Sequence, residues 1–246
     1  MHLILSLLYW MIAIPAIVLV MFPLSFSVWC LTVLFDKRLR LLQFIANIWG
    51  SLFIWLNPFV SVEITGKENI DPKKTYIITP NHSFLLDIPA LHLLFIHFKW
   101  ISKASLRRVP FIGWNMVLNK TIFINRTDQK SQLKMMRSCE ENLALGNSIM
   151  IFPEGTRSRG QGLGKFLDGG FLLAKKMKCD ILPVALTYSE TEIIKGFIFT
   201  KFLKIKVEVL KAIPSDEFKK TRELRDNVKM RIESVLQKQR AETITL

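Results

Sequence analysis

A histidine and an aspartate stand five residues apart in Asn81-His82-Ser83-Phe84-Leu85-Leu86-Asp87, directly after a strand-like run. A neutral imidazole can take a proton from a hydroxyl near pH 7. A carboxylate on its other nitrogen fixes the tautomer and stabilises the imidazolium. On a regular helix, residues five apart sit about 140° from each other, so these two side chains would not share a face. They meet if His82 lies on a turn before a helix and Asp87 in its first turn. Pro80 before the pair and Pro89 after it favour that arrangement. The spacing alone is equally met by an Asp87 that caps a helix and a His82 satisfied in a loop. His92 and His97 fall in an apolar helical segment and read as structural. No Ser or Cys stands in a nucleophile elbow, so the chemistry that fits is direct attack by an acceptor hydroxyl.

A second constellation is Ile151-Phe152-Pro153-Glu154-Gly155-Thr156-Arg157-Ser158, where a buried strand runs out into a loop. Burying Glu154 and Arg157 together is costly unless they serve each other or a ligand. An arginine there can hold a phosphate bidentately, and Gly155 lets the backbone approach closely. The bland alternative is that Glu154 and Arg157 pair only to fix the loop. Lys103 and Arg126 follow Trp100-Ile101-Ser102 and Phe123-Ile124-Asn125 and are further cations at strand ends.

The elements that must position these residues alternate along the chain. Strands are predicted over Val62–Thr65, Thr75–Thr79, Ile122–Ile124, Ser148–Phe152, Ile181–Thr187 and Phe202–Leu210. The last alternates Leu203, Ile205, Val207 and Val209 with Lys204, Lys206 and Glu208, as a half-exposed strand does. Helices are predicted over Ala90–Phe98 and Gly170–Lys178. Another begins at Asp128 under a Thr127 cap and ends at Gly146, and a final basic one is capped by Ser215, with Asp216 and Glu217 in its first turn. This alternation predicts an α/β fold, a mixed central sheet flanked by helices. The loop Gly155–Gly164, rich in Gly, Arg and Ser, is the expected functional loop.

Residues 1–60 differ in character from residues 61–246. No charged side chain occurs from Leu3 to Phe35, and such a run would make a helix of roughly 50 Å, where about 20 residues cross a bilayer. Lys37, Arg38 and Arg40 follow, and a second charge-free stretch, Leu41 to Val62, is interrupted by Gly50 and Pro58. A secretory signal fits poorly, because no Lys or Arg precedes the run and no small-residue cleavage site stands out. The reading is an N-terminal hydrophobic helical membrane anchor, one span or a monotopic hairpin, with linker and domain both on the cytoplasmic side.

The chain is 50% hydrophobic and 22% charged, too apolar for an ordinary soluble domain and too charged for a multi-span one. Its net charge is +14, and the basic residues that crowd the last 45 or so positions, Lys201 and Lys229 among them, suit anionic lipid headgroups. Nucleic acid is the competing partner for such charge, but the aromatics cluster in the anchor instead of among the basic residues. Cys30, Cys139 and Cys179 are widely spaced, which predicts buried free thiols and neither a disulfide framework nor a zinc site.

Taken in order, four blocks resemble the glycerolipid acyltransferase family, in particular bacterial 1-acyl-sn-glycerol-3-phosphate acyltransferases. They are Asn81–Asp87, Ile122–Arg126, Phe152–Arg157 and Ile181–Ala185. The resemblance implies His82 as general base and Asp87 as its orienting partner. It implies that Asn81, Ser83, Glu154, Gly155, Thr156 and Arg157, with Arg126 and Lys103, bind substrate. Pro183 would shape the pocket wall. The donor would be acyl-CoA or an acyl-carrier-protein thioester, and the acceptor a lysophospholipid drawn from a bacterial inner membrane. No bound cofactor and no metal are implied. Two departures bear on the acceptor: Phe166-Leu167-Asp168-Gly169 stands where relatives often carry Phe-Lys-Lys-Gly, and Lys120-Thr121 where a small residue such as glycine is common.

Overall fold

The structure, a computed structural model, describes residues 2–158, 162–189, 194–195, 198–199 and 202–244. The first charge-free stretch forms helix α1 (His2–Leu8), a π-helical turn (Tyr9–Ala13) and helix α2 (Ile14–Thr32). Among the described helices, the continuous run Ile4–Thr32 is the one long and apolar enough to cross a membrane. Leu19, Val20 and Leu31 on it are exposed.

The second stretch behaves differently. It folds back as α3 (Arg40–Trp55) and buries Leu42, Ala46, Trp49 and Ile54 against α2, α4 (Asp87–His92) and the first strand. Its buried face is also polar, with Gln43 and Asn47 inside. The two stretches therefore form a helical hairpin whose second arm is part of the globular body.

The main sheet contains β1 (Val60–Thr65), β2 (Tyr76–Pro80), β3 (Phe98–Lys103), β4 (Ile122–Ile124), β5 (Ser148–Met150), β6 (Asp180–Tyr188) and, after a small antiparallel pair β7 (Ile194–Lys195) and β8 (Ile198–Phe199), β9 (Leu203–Val209). Strand order is β1-β9-β6-β2-β5-β3-β4. Only β6 and β9 pair antiparallel within it. The parallel strands β2, β5, β3 and β4 thus end on one edge, where α/β folds place their sites.

Each face of the sheet has its own core. Ile78, Phe98, Met150, Leu182 and Leu186 pack with α3 and α4 residues. Ile77, Ile149, Phe171, Ile181 and Val228 pack on the other side, beneath α6 (Gln129–Ala144), α7 (Gly169–Met177) and α8 (Thr221–Ile244), with α5 (Ile112–Leu118) at the β4 edge. The β9 alternation appears as expected, with Leu203, Ile205, Val207 and Val209 buried.

Several boundaries differ from the sequence reading. The helix expected over Ala90–Phe98 is the shorter α4. Phe95 adopts φ +54 beyond it, and Phe98 and Trp100 are drawn into a strand because they pack edge-on beside the core. Asp128, not Thr127, caps α6: its carboxylate accepts from the Lys130 backbone N–H at 2.9 Å. Ser215 donates to the Ala174 carbonyl near the end of α7, and α8 starts later, at Thr221. Cys30 is exposed, unlike the buried Cys139 and Cys179. Residues 159–161 of the Gly155–Gly164 loop and Lys201 lie outside the described residues.

Two tests follow from this packing. Gly50 on α3 lies so close to α4 that an added Cβ would stand 2.5 Å from the His92 ring. Gly50→Ala is expected to cost about 1–3 kcal/mol by overpacking, read as a lower melting temperature in detergent. Burial, together with the nearby cations Lys99, Arg38 and Arg40, holds the His97 imidazole down at about 4, against the pull of its bond to Asn147. Between pH 6.5 and 4 the unfolded chain therefore binds the proton that the folded chain refuses, and stability falls with pH across that window. His97→Gln, which can still donate to Asn147 Oδ1 (2.8 Å from the native Nε2), should flatten the loss of melting temperature between pH 7 and pH 5.

Candidate active site

Strand β2 delivers His82 to the open edge of the sheet, and the turn that follows brings it back against Asp87 at the first residue of α4. His82 Nδ1 lies 2.7 Å from Asp87 Oδ2. The Asp87 side chain is 0% exposed and that of His82 11%, so the carboxylate is sealed while the ring still reaches solvent. Asp87 Oδ2 also accepts from the backbone N–H groups of Ser83 (2.7 Å) and Phe84 (2.9 Å), and Oδ1 accepts from the Tyr188 hydroxyl. A carboxylate so placed orients the neutral ring with its proton on Nδ1, leaving Nε2 with its lone pair. Burial and the Asp87 charge push the Tyr188 phenol well above its ordinary range, so it remains a donor.

The His82 ring is held from the side as well. It stacks on Phe152 with centroids 3.9 Å apart, and Phe152 stacks on Trp100 at 5.5 Å. Trp100 Nε1 donates to His92 Nε2 at 3.3 Å, which leaves the His92 proton on Nδ1, facing Asn47 Oδ1 at 2.9 Å. Gln43 Nε2 donates to the same Asn47 oxygen at 3.1 Å. A continuous chain of contacts thus runs from the hairpin helix α3 to the His82 ring. Burial lowers His92 to about 4, consistent with a neutral relay.

The Phe152–Ser158 loop is stitched beneath His82. Glu154 Oε1 accepts from the His82 backbone N–H and Oε2 from that of Gly164, both at 2.8 Å. Burial raises the Glu154 carboxyl above its ordinary range, and those two N–H groups oppose the shift. Ser158 N–H donates to the His82 carbonyl at 2.8 Å, and the Ser83 and Ser158 hydroxyls are 2.9 Å apart. Gly155 takes φ +70, and a Cβ there would sit 2.8 Å from Leu167 and 3.5 Å from the Arg126 guanidinium.

A cavity of about 1440 Å³ opens beside this assembly. His82, Lys103, Arg126, Gly155, Thr156 and Arg157 all line it. Its walls are mostly apolar and extend to Trp10 and Ile14 in the first arm of the hairpin and to Trp49 and Phe53 of α3. Lys103, Arg126 and Arg157 are exposed at its rim, and no described acid pairs with any of them.

Three residues expected to touch substrate are engaged elsewhere. Asn81 is buried and exchanges two hydrogen bonds with the Leu186 backbone (2.7 and 3.0 Å), which extends the β2–β6 pairing. Ser83 and Glu154 serve the loop contacts just described. Glu154 and Arg157 form no ion pair with each other among the described residues. Asp168 points to Arg225 of α8 at 2.7 Å instead of into the cavity, whereas Leu167 lines it. Sequence reasoning missed Tyr188, Trp100 and the Asn47–His92 link. Tyr188 had one weak signal, a polar tip at the end of an otherwise apolar strand. Among the described residues, no group of three His, Cys, Asp or Glu side chains could hold a metal.

A histidine ring, oriented by a sealed carboxylate beside an apolar cleft rimmed with cations, is an arrangement able to activate a hydroxyl toward group transfer. The chain belongs to the acyltransferase family: the profile described as Acyltransferase matches residues 61–187. It is 40% identical over 158 residues to a 1-acyl-sn-glycerol-3-phosphate acyltransferase of Chlamydomonas reinhardtii, covering 63% of this chain and 47% of that one. Over 193 residues it is 32% identical to a protein of the same name from Borreliella burgdorferi, covering 74% and 75%. The chain spans less than half the length of the algal and chloroplast relatives it matches. Its fold matches the crystal structure of a 1-acyl-sn-glycerophosphate (LPA) acyltransferase from Thermotoga maritima. The TM-score is 0.82 at 24% identity, over 98% of this chain and 96% of that one.

Tyr188 offers a test of the carboxylate cage. Tyr188→Phe removes one donor and leaves Asp87 Oδ1 buried and unpaired, which should destabilise the fold by about 1–3 kcal/mol. Thermal unfolding of variant and parent, compared at one pH, measures it.

Proposed function

We propose that the chain transfers a fatty acyl group from a thioester to the sn-2 hydroxyl of lysophosphatidic acid, giving phosphatidic acid. The observation that carries the proposal is the 2.7 Å His82–Asp87 contact at the mouth of an apolar cavity rimmed by unpaired cations. The relatives named for this reaction support it.

In the proposed reaction, His82 Nε2 takes the acceptor hydroxyl proton as the oxygen attacks the thioester carbonyl. The tetrahedral oxyanion collapses, the C–S bond breaks, and the imidazolium returns the proton to the departing thiolate. Ester and free thiol result. Asp87 holds the ring and balances its transient charge. Arg126 and Arg157 would hold the acceptor phosphate, with the Gly155 backbone allowing close approach, and Lys103 would offer its charge to the oxyanion or the phosphate. The donor would be acyl-CoA or an acyl-carrier-protein thioester. The apolar cavity wall would take the acyl chain, and the N-terminal helix would keep the site at a bacterial inner membrane on its cytoplasmic side.

Two outcomes test this. His82→Ala should lower acyl transfer by about 10²–10⁴, since general-base assistance is worth that much, while the chain still folds and associates with membrane at a melting temperature lowered by the loss of one donor to Asp87. A lysolipid panel assayed with both donor types should show turnover of lysophosphatidate. Failure there with turnover of another lysophospholipid would move the assignment to that acceptor.

A further inference from the structure

The cavity contains a second polar region that acyl transfer at His82 leaves unused. Lys99 is 2% exposed and lines the cavity, yet its Nζ has no hydrogen-bond partner among the described residues. Asn119, 7% exposed, lines the same cavity with its Oδ1 also unpartnered, while its Nδ2 is held by Asn115. Lys99 precedes Lys103 by four residues on β3, about 13 Å along the strand, so it is separate from the cations at the mouth. The pairing of β3 with β4 begins at Ile101 and Ile122. Lys120 lies before that pairing, exposed in the turn after α5, and directly follows Asn119.

The surrounding charges worsen the position of Lys99. Burial first, then repulsion by Lys120 and Arg38, lowers its ammonium to about 8, with Asp36 opposing. Asp36 caps α3 instead, accepting from the Leu41 N–H at 3.2 Å, and forms no ion pair with Lys99. Arg38 is committed to Asn147 Oδ1 and the Gly146 carbonyl. Lys120 adopts φ +53, a left-handed conformation unfavourable for a residue with a Cβ. A buried ammonium beside like charges, without an acceptor, is a costly arrangement unless a ligand completes it. The missing group must accept from Lys99 and Lys120 and donate to Asn119 Oδ1.

We propose that Lys99, Lys120 and Asn119 form a second anion subsite, below the catalytic mouth, for a phosphate monoester. Its ionised oxygens accept from the two ammonium groups; a P–OH donates to Asn119 Oδ1 in the singly protonated form, which inorganic phosphate retains at pH 8. Such a group can arrive on a lipid or as a soluble phosphate, and the test separates the two.

Competitive labelling of the full-length chain with acetic anhydride at pH 8, in neutral detergent, reads Lys99 directly by peptide mass spectrometry. The exposed Lys73 serves as internal reference. Lys99 labelling is expected to fall at least fivefold with inorganic phosphate, or with micelles doped with phosphatidic acid, and not with chloride at equal ionic strength. Protection by phosphate alone assigns a soluble ligand, and protection by the doped micelles alone a lipid-borne one. Lys120→Gly suits the left-handed backbone and should fold normally. It should raise the half-protecting concentration at least tenfold. A Lys99 that is never labelled, that labels equally with and without both probes, or that is protected as well in Lys120→Gly as in the parent would overturn the assignment. Labelling needs no turnover, so the result is independent of the proposed reaction.

Discussion

The carboxylate of Asp87 is the charge around which the rest of the site is arranged. It is fully buried, and a buried carboxylate costs several kcal/mol unless each lone pair meets a donor. Its four donors come from three places: the His82 ring, the backbone of Ser83 and Phe84, and the hydroxyl of Tyr188. Tyr188 ends β6, which is 101 residues further along the chain and lies beside β2 only because the sheet is ordered so. The Asn81–Leu186 exchange holds that pairing beyond the last strand residue. Strand order and turn geometry together bring four donors to one ion.

Glu154 has a parallel role on the neighbouring strand's loop. Both of its oxygens are consumed by backbone N–H groups, one from His82 in the turn after β2 and one from Gly164. Both acids at the mouth are thus spent internally. The cations Lys103, Arg126 and Arg157 are left facing the cavity without a described acid to neutralise them. This sorting of charge gives the mouth its positive character, which suits an anionic headgroup.

The hairpin is more than an attachment. Its first arm presents apolar side chains outward, while its second arm supplies cavity wall and the Asn47 that orients His92. Through Trp100 and Phe152 that orientation reaches the His82 ring. A hairpin that also braces the His82 ring couples the position of the apolar helices to the geometry of the site.

Much of this could be read from local sequence, for local reasons. Alternation in Leu203–Val209, the apolar run at Ser148–Met150 and the Gly146 stop reflect periods and backbone preferences that neighbouring residues set by themselves. The His82–Asp87 pair was legible because a turn followed by a helix start is also a local device. Where local preference and tertiary packing disagreed, packing prevailed: Phe98 left a helix-like segment for the sheet, and Ser215 turned to the end of α7 instead of starting α8. The uses of Glu154, Asp168 and Asn81 were likewise settled at long range, by Gly164, Arg225 and Leu186. Sequence alone determined which residues could ionise, turn or pair with a neighbour. Only the tertiary structure decided which charges would be spent holding the fold and which would be left facing the cavity, because that depends on partners tens of residues away.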